Sequence, residues 1–116
     1  MSCVLRIEAT EPSVSGLIPY RLENGVAHFQ VSDAGFEDLQ AQIADAVVFL
    51  RSNQEQLRVT MARAASSGVL DFAVEWRDAI FQSNRFSPEL VREAGHLGLA
   101  LELSHYPKDD APHAEA

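Results

Sequence analysis

The stretch from Phe86 to Tyr106, FSPELVREAGHLGLALELSHY, constrains the fold of this chain more than any other part of it. Ser87 can accept a hydrogen bond from an otherwise orphaned N–H of a helical first turn, and Pro88 presets the helical φ where its missing donor costs nothing. Leu90, Val91, Ala94 and Leu97 then recur at helical spacing, Gly98 can take the left-handed conformation that closes a helix, and Leu99, Leu101 and Leu103 alternate as a strand does. Capped helix, glycine stop and core strand describe how a domain closes its core. They carry no chemistry of their own.

The rest of the chain supplies elements for that stretch to pack against. Cys3, Leu5, Ile7 and Ala9 share one face of a first strand, with Val4, Arg6 and Glu8 on the other. From Glu11 to Asn24, Pro12, Gly16 and Pro19 break any period, while Val14, Leu17, Ile18, Tyr20 and Leu22 make a loop apolar enough to pack down or to act as a recognition loop. Asn24-Gly25 is a turn dipeptide, and Val26 to Val31 reads as the second strand. Asp33 can cap a helix over 34–51, with Phe36, Leu39, Ile43, Val47 and Leu50 as its core stripe. Val48 and Phe49 flank that stripe and call for cover from the preceding loop or from a partner subunit.

Leu57, Val59 and Met61 alternate with Arg58, Thr60 and Ala62, which predicts a third strand. Ala65-Ser66-Ser67-Gly68 reads as a hairpin loop into a fourth, Val69 to Trp76, whose core face is Leu70, Phe72, Val74 and Trp76 and whose outer face carries Asp71 and Glu75. Residues 77–85 give no regular pattern. The expected order is ββαββαβ: an α+β domain, an antiparallel sheet of about five strands with two helices on one face and a ferredoxin-like core. One domain over residues 1–106 suits the length, followed by an acidic flexible tail over 107–116.

Composition narrows the function classes. Seventeen acidic against nine basic residues give a formal net charge of −8, and Lys108 is the single lysine, so nucleic acid is not an expected partner. The most apolar run, Ala44 to Leu50, is interrupted by Asp45 and falls short of the roughly 20 residues a spanning helix needs, so no membrane partner is expected. Arg6 and Glu8 break what would be the apolar region of a signal peptide, and the expected location is the cytoplasm. Cys3 is the only cysteine, which excludes an intrachain disulfide and a thiolate cluster.

No catalytic, cofactor or metal residue stands out. His28, His96, His105 and His113 include no i, i+4 pair, no G-x-S-x-G or S-x-x-K motif occurs, and no glycine pattern suits a phosphate cradle. His28 could meet Glu8 across strands. The outward sheet face predicted from alternation holds Arg58, Thr60, Asp71, Glu75 and Glu102, with Ala62, Ala73, Ala100 and Ser104 among them. Such a shallow, mildly apolar face is the candidate partner-binding surface, including a sheet-to-sheet homodimer. The competing class is a small-molecule binder or enzyme, with a pocket between the sheet edge and the 11–24 loop lined by Tyr20, Trp76 and Arg77.

The run FSPELVREAGHLGLALELSHYP also resembles the C-terminal signature of a bacterial family of small uncharacterised α+β domains. Phe86, Ser87, Glu89, Leu90, Leu97, Gly98 and Tyr106 carry the match to an F-S-x-E-L helix start, an L-G stop and a strand ending in tyrosine. Between Glu11 and Asn24 the chain departs from that pattern. The matched residues cap and pack, so the resemblance implies fold and no activity. The functional expectation is a non-catalytic, acidic protein-interaction or regulatory module, with immunity-protein-like neutralisation of a toxin as one form.

Overall fold

Cys3, Leu5 and Ile7, all fully buried, form the inner side of strand β1 (Cys3–Glu8), which occupies the middle of the sheet. The computed structural model describes residues 1–77 and 80–108. After β1 come β2 (Arg21–Glu23), β3 (Val26–Ser32), α1 (Leu39–Ser52), α2 (Gln54–Met61), β4 (Ser67–Trp76), α3 (Pro88–His96) and β5 (Ala100–Pro107). The strands lie in the order β2-β3-β1-β4-β5. β1 pairs antiparallel with both β3 and β4, whereas β4 and β5 are parallel.

The domain is therefore α+β with five strands, but its sheet is mixed and its described helices number three. The all-antiparallel, two-helix, ferredoxin-like expectation is corrected on both counts. α3 is a crossover that returns the chain to the end of the sheet where β4 began, so β5 must run alongside β4 in the same direction. Leu57 to Ala62 is not a strand but most of α2 and its cap. Leu57 and Thr60 are buried and Met61 packs on the core, an i, i+3, i+4 set, while Val59 is exposed. Three alternating apolar residues fit either period, and the local bonds decide: Thr60 Oγ1 donates to the Gln56 carbonyl at 3.0 Å.

Other boundaries moved for equally local reasons. Asp38, not Asp33, caps α1 by accepting from the Ala41 N–H at 3.1 Å, while Asp33 pairs with the N-terminal ammonium at 3.2 Å. Phe36 stays outside the helix, where its carbonyl accepts the Glu75 N–H at 3.2 Å and its ring lies 5.3 Å from that of Tyr106. The Glu11 to Asn24 loop ends in β2, joined to β3 through Asn24 and Gly25 at φ 54° and 77°, the left-handed pair of a tight hairpin turn. Its earlier part covers the core, with Val14 buried and Leu17 packed against it. Ala65-Ser66-Ser67-Gly68 is no hairpin. Ser67 and Gly68 already belong to β4, and a Cβ on Gly68 would lie 2.5 Å from Leu99 Cδ2.

The opening stretch folds as its sequence indicates. Ser87 Oγ accepts from the Leu90 N–H at 3.2 Å, Pro88 occupies the first turn, and Gly98 follows the helix at φ 69°. Leu90, Ala94, Leu97 and Leu99 are buried, whereas Leu101 and Leu103 are only partly so, because β5 lies at the sheet edge. Pro107 belongs to β5, and residues 109–116 of the expected tail lie outside the described residues, as do Asp78 and Ala79.

All three described helices lie on one side of the sheet. Phe29, Leu5, Leu70 and Phe72 from the strands meet Ile43, Leu50, Leu57 and Leu90 from the helices in one buried cluster, which Phe49 also joins while Val48 stays exposed. Trp76, expected in the core, is 42% exposed with its ring edge-on to His105 at 5.7 Å. β4 outruns β1, whose pairing ends at Phe72, and Trp76 lies beyond the Phe36 carbonyl that takes the Glu75 N–H. Among the described residues no helix is long and apolar enough to cross a membrane.

Burial pushes the Cys3 thiol far up from its ordinary range, and Asp71 and Asp45 push it further. The native chain is expected to resist a thiol reagent at pH 8, reacting at the rate of global unfolding. Labelling with stopped-flow detection checks this, and fast labelling without denaturant would show that Cys3 is reachable.

Candidate functional site

With every described helix on one side, the opposite sheet face is bare, and its register arranges charge in rows. Arg21 pairs with His28, His28 with Arg6, Arg6 with Val69 and Val69 with Ala100, a row that is basic and imidazole on β2, β3 and β1 and apolar on β4 and β5. One pleat repeat along β1, Glu8 aligns with Val26 and Ser67, and Val26 with Glu23. In the other direction Val4 aligns with Gln30 and Asp71, and Asp71 with Glu102. A cationic row thus runs between two acidic ones.

Arg6 ties this face together. Its Nη1 donates to Asp71 Oδ2 at 2.9 Å and its Nη2 to Glu102 Oε1 at 2.7 Å, while Ser104 Oγ donates to Asp71 Oδ1 at 2.7 Å. Three strands are stitched by one guanidinium. The Asp71 side chain is 16% exposed and that of Arg6 29%, so this pair is more desolvated than a typical surface bridge worth about 0–1 kcal/mol. Arg21 Nη2 donates to Glu23 Oε1 at 2.8 Å, so the second arginine of the row is engaged too.

Arg6, Glu8, Arg21, Glu23 and His28 border an open depression of about 390 Å³ that Val26 and Val69 also line. Tyr20, from the loop before β2, sets its ring 5.9 Å from the His28 imidazole, and its N–H bonds the His28 carbonyl at 2.9 Å. Partial burial lowers the His28 pKa, Arg21 and Arg6 lower it further, and Glu23 opposes them. An NMR titration is expected to place its midpoint below about 6.5, and Arg21→Ala should raise it. Below about pH 6.5 the unfolded chain takes this proton before the folded one, so the stability contribution of His28 falls as the pH drops towards its folded midpoint. A midpoint above 6.5 would show that the arginines do not act on this ring.

Of the five residues expected on this face, Asp71 lies on it in β4 and Glu102 beside it on the edge strand β5. Glu75 keeps its outward alternation but sits beyond the end of β1, next to Tyr106 in the strand pairing. Arg58 and Thr60 are elsewhere: Arg58 is exposed on α2 and paired with Glu55, and Thr60 is buried beneath that helix. Their assignment fell with the strand that was to carry them. Nor do Tyr20, Trp76 and Arg77 line one pocket. Tyr20 adjoins β2 at one edge, whereas Trp76 ends β4 beside the opposite edge strand and Arg77 follows it.

Arg6, Arg21 and His28 were missing from the expected site. Alternation already put Arg6 and His28 on outward faces, but only the pairing of β3 with β1 makes them neighbours. Among the described residues, no group of three or more His, Cys, Asp and Glu side chains is placed to hold a metal ion. The geometry offers fixed carboxylates, two engaged guanidinium groups and a histidine biased towards neutrality. No protein-family model matches the chain, and no curated protein or solved structure matches it.

Proposed function

We propose that this domain is a non-catalytic interaction module that engages a basic protein surface through its helix-free sheet face. The observation that carries the reading is the charge arrangement of that face. Glu8, Glu23, Asp71 and Glu102 stand against Arg6 and Arg21, and both arginines are already bound to carboxylates of the same face. What is left over is negative and held in a fixed register, which favours a cationic partner and a fast, steered encounter. Beside it, Ile18 at 92% exposure, with exposed Tyr20 and Leu22, offers an apolar rim at the β2 edge. Neutralisation of a basic toxin in the cytoplasm is one form of this reading, suggested by the small size and the acidity of the chain.

The test is affinity capture from the native cell with the wild-type chain and a Glu8→Lys, Glu23→Lys variant, followed by mass spectrometry. A partner of basic pI held by the wild type and lost from the variant, with affinity falling as salt rises, is the expected result. Equal capture by both chains would overturn the reading. The depression beside His28, lined by carboxylates and guanidinium groups together, favours a second reading, a small zwitterionic ligand, which a thermal-shift screen separates from the first.

A further inference from the structure

The two edges of the sheet differ in their protection. β2 is three residues long and carries a mutually paired Arg21 and Glu23, the short, charged kind of edge that discourages further strand addition. β5 is eight residues long and pairs with β4 residue for residue from Val69 and Ala100 to Trp76 and Pro107. Alternate backbone N–H and C=O groups of β5 point away from β4. Among the described residues no strand lies beyond it. Its single carboxylate, Glu102, is already held by Arg6, and Leu101 and Leu103 remain only partly buried although they face the core side.

We propose that β5 pairs antiparallel with β5 of a second copy about a two-fold axis at Leu103, joining two sheets into one. Directly opposed residues of an antiparallel pair share a face, so a symmetric pairing must place one residue opposite itself. An axis at Glu102 would set two carboxylates against each other. An axis at Ser104 would bring Pro107, which has no N–H, into the ladder. The axis at Leu103 opposes Leu103 to itself, Leu101 to His105, Glu102 to Ser104 and Ala100 to Tyr106. Seven residues pair without a like-charge contact, and the partly buried leucine is covered further. This assembly is edge to edge, so it leaves the helix-free face open and places two such faces side by side. It does not depend on the proposed binding partner.

Sedimentation of the full chain over the micromolar range is expected to show a dimer that tightens with added salt, because two copies of net charge −8 repel. Binding of a basic partner has the opposite salt dependence, so the two ideas fail separately. The register is read from Glu102→Cys, Leu103→Cys and Ser104→Cys made singly, with Cys3 buried and out of reach. Opposed residues of an antiparallel pair sit about 4.5–5.5 Å apart at Cα, within disulfide range, so Leu103→Cys should cross-link under mild oxidation at least about tenfold faster than its neighbours. A monomer throughout the range, or cross-linking that is fastest at 102 or 104 or equal at all three, would overturn the proposal. If the Leu103→Cys chain does not fold, hydrogen exchange on the wild type decides. Protection of β5 amides must rise with protein concentration, and concentration-independent exchange sinks the idea.

Discussion

A Phe72→Ala chain is expected to lose about 3–5 kcal/mol of stability, the usual cost of truncating a fully buried aromatic. Phe72 has no exposed surface, sits in β4 between Cys3 of β1 and Leu103 of β5, and packs its ring 5.3 Å from that of Phe86. It is therefore walled in by strands on both sides and by the segment leading into α3, and little can collapse into the space it leaves. In a domain whose total stability is about 5–15 kcal/mol, that loss shifts a urea midpoint strongly with the slope unchanged. Phe81→Ala is the control, because Phe81 is 80% exposed and its removal should fall within about 0.5 kcal/mol. A Phe72 effect below about 1 kcal/mol would mean that β4 faces the other way.

Arg6→Met should cost about 1–3 kcal/mol, less than a fully buried pair because both partners keep some contact with water. The methionine keeps the apolar stem and removes the charge. Asp71, largely shielded in β4, is then left with the Ser104 hydroxyl alone. Adding Asp71→Asn to Arg6→Met should recover part of the loss, and the double-mutant cycle measures the coupling directly. Additive single effects would show that the guanidinium is a surface decoration and not the clasp between β1, β4 and β5.

Residues 86–106 were legible because each signal there is local: a cap, an N1 proline, a helical period and a glycine close to one another in sequence. The same holds for β1, β3 and most of β4. Where the reading failed, the deciding information lay elsewhere in the chain or in a competing period. Residues 57–61 alternate and also recur at i, i+3, i+4, and the burial of Leu57 and Thr60, with the Thr60–Gln56 hydrogen bond, goes with the helix. β2 is too short to show any period and exists because the Asn24-Gly25 turn lays it along β3. Asp33 and Asp38 are both able caps, and the pull of the N-terminal ammonium on Asp33 is a tertiary fact. The candidate site suffered most. Alternation assigns faces but not neighbours, so Asp71 and Glu102 were found while Arg6, which binds both, was not.

The position of β1 has a consequence for the order in which the molecule is made. The first of these five strands to be synthesised becomes the middle of the sheet, and one of its two edges is completed only when β4 is available, with Arg6 and Asp71 separated by 65 positions. Closing so long a loop delays the rewarding contacts and slows folding. Until Ser67 to Trp76 leave the ribosome, β1 is paired on the β3 side alone, and its other edge is a free template beside the apolar Cys3, Leu5 and Ile7. The nascent chain is thus most prone to aggregate during the interval in which α1 and α2 are being made, and least so once β4 has docked.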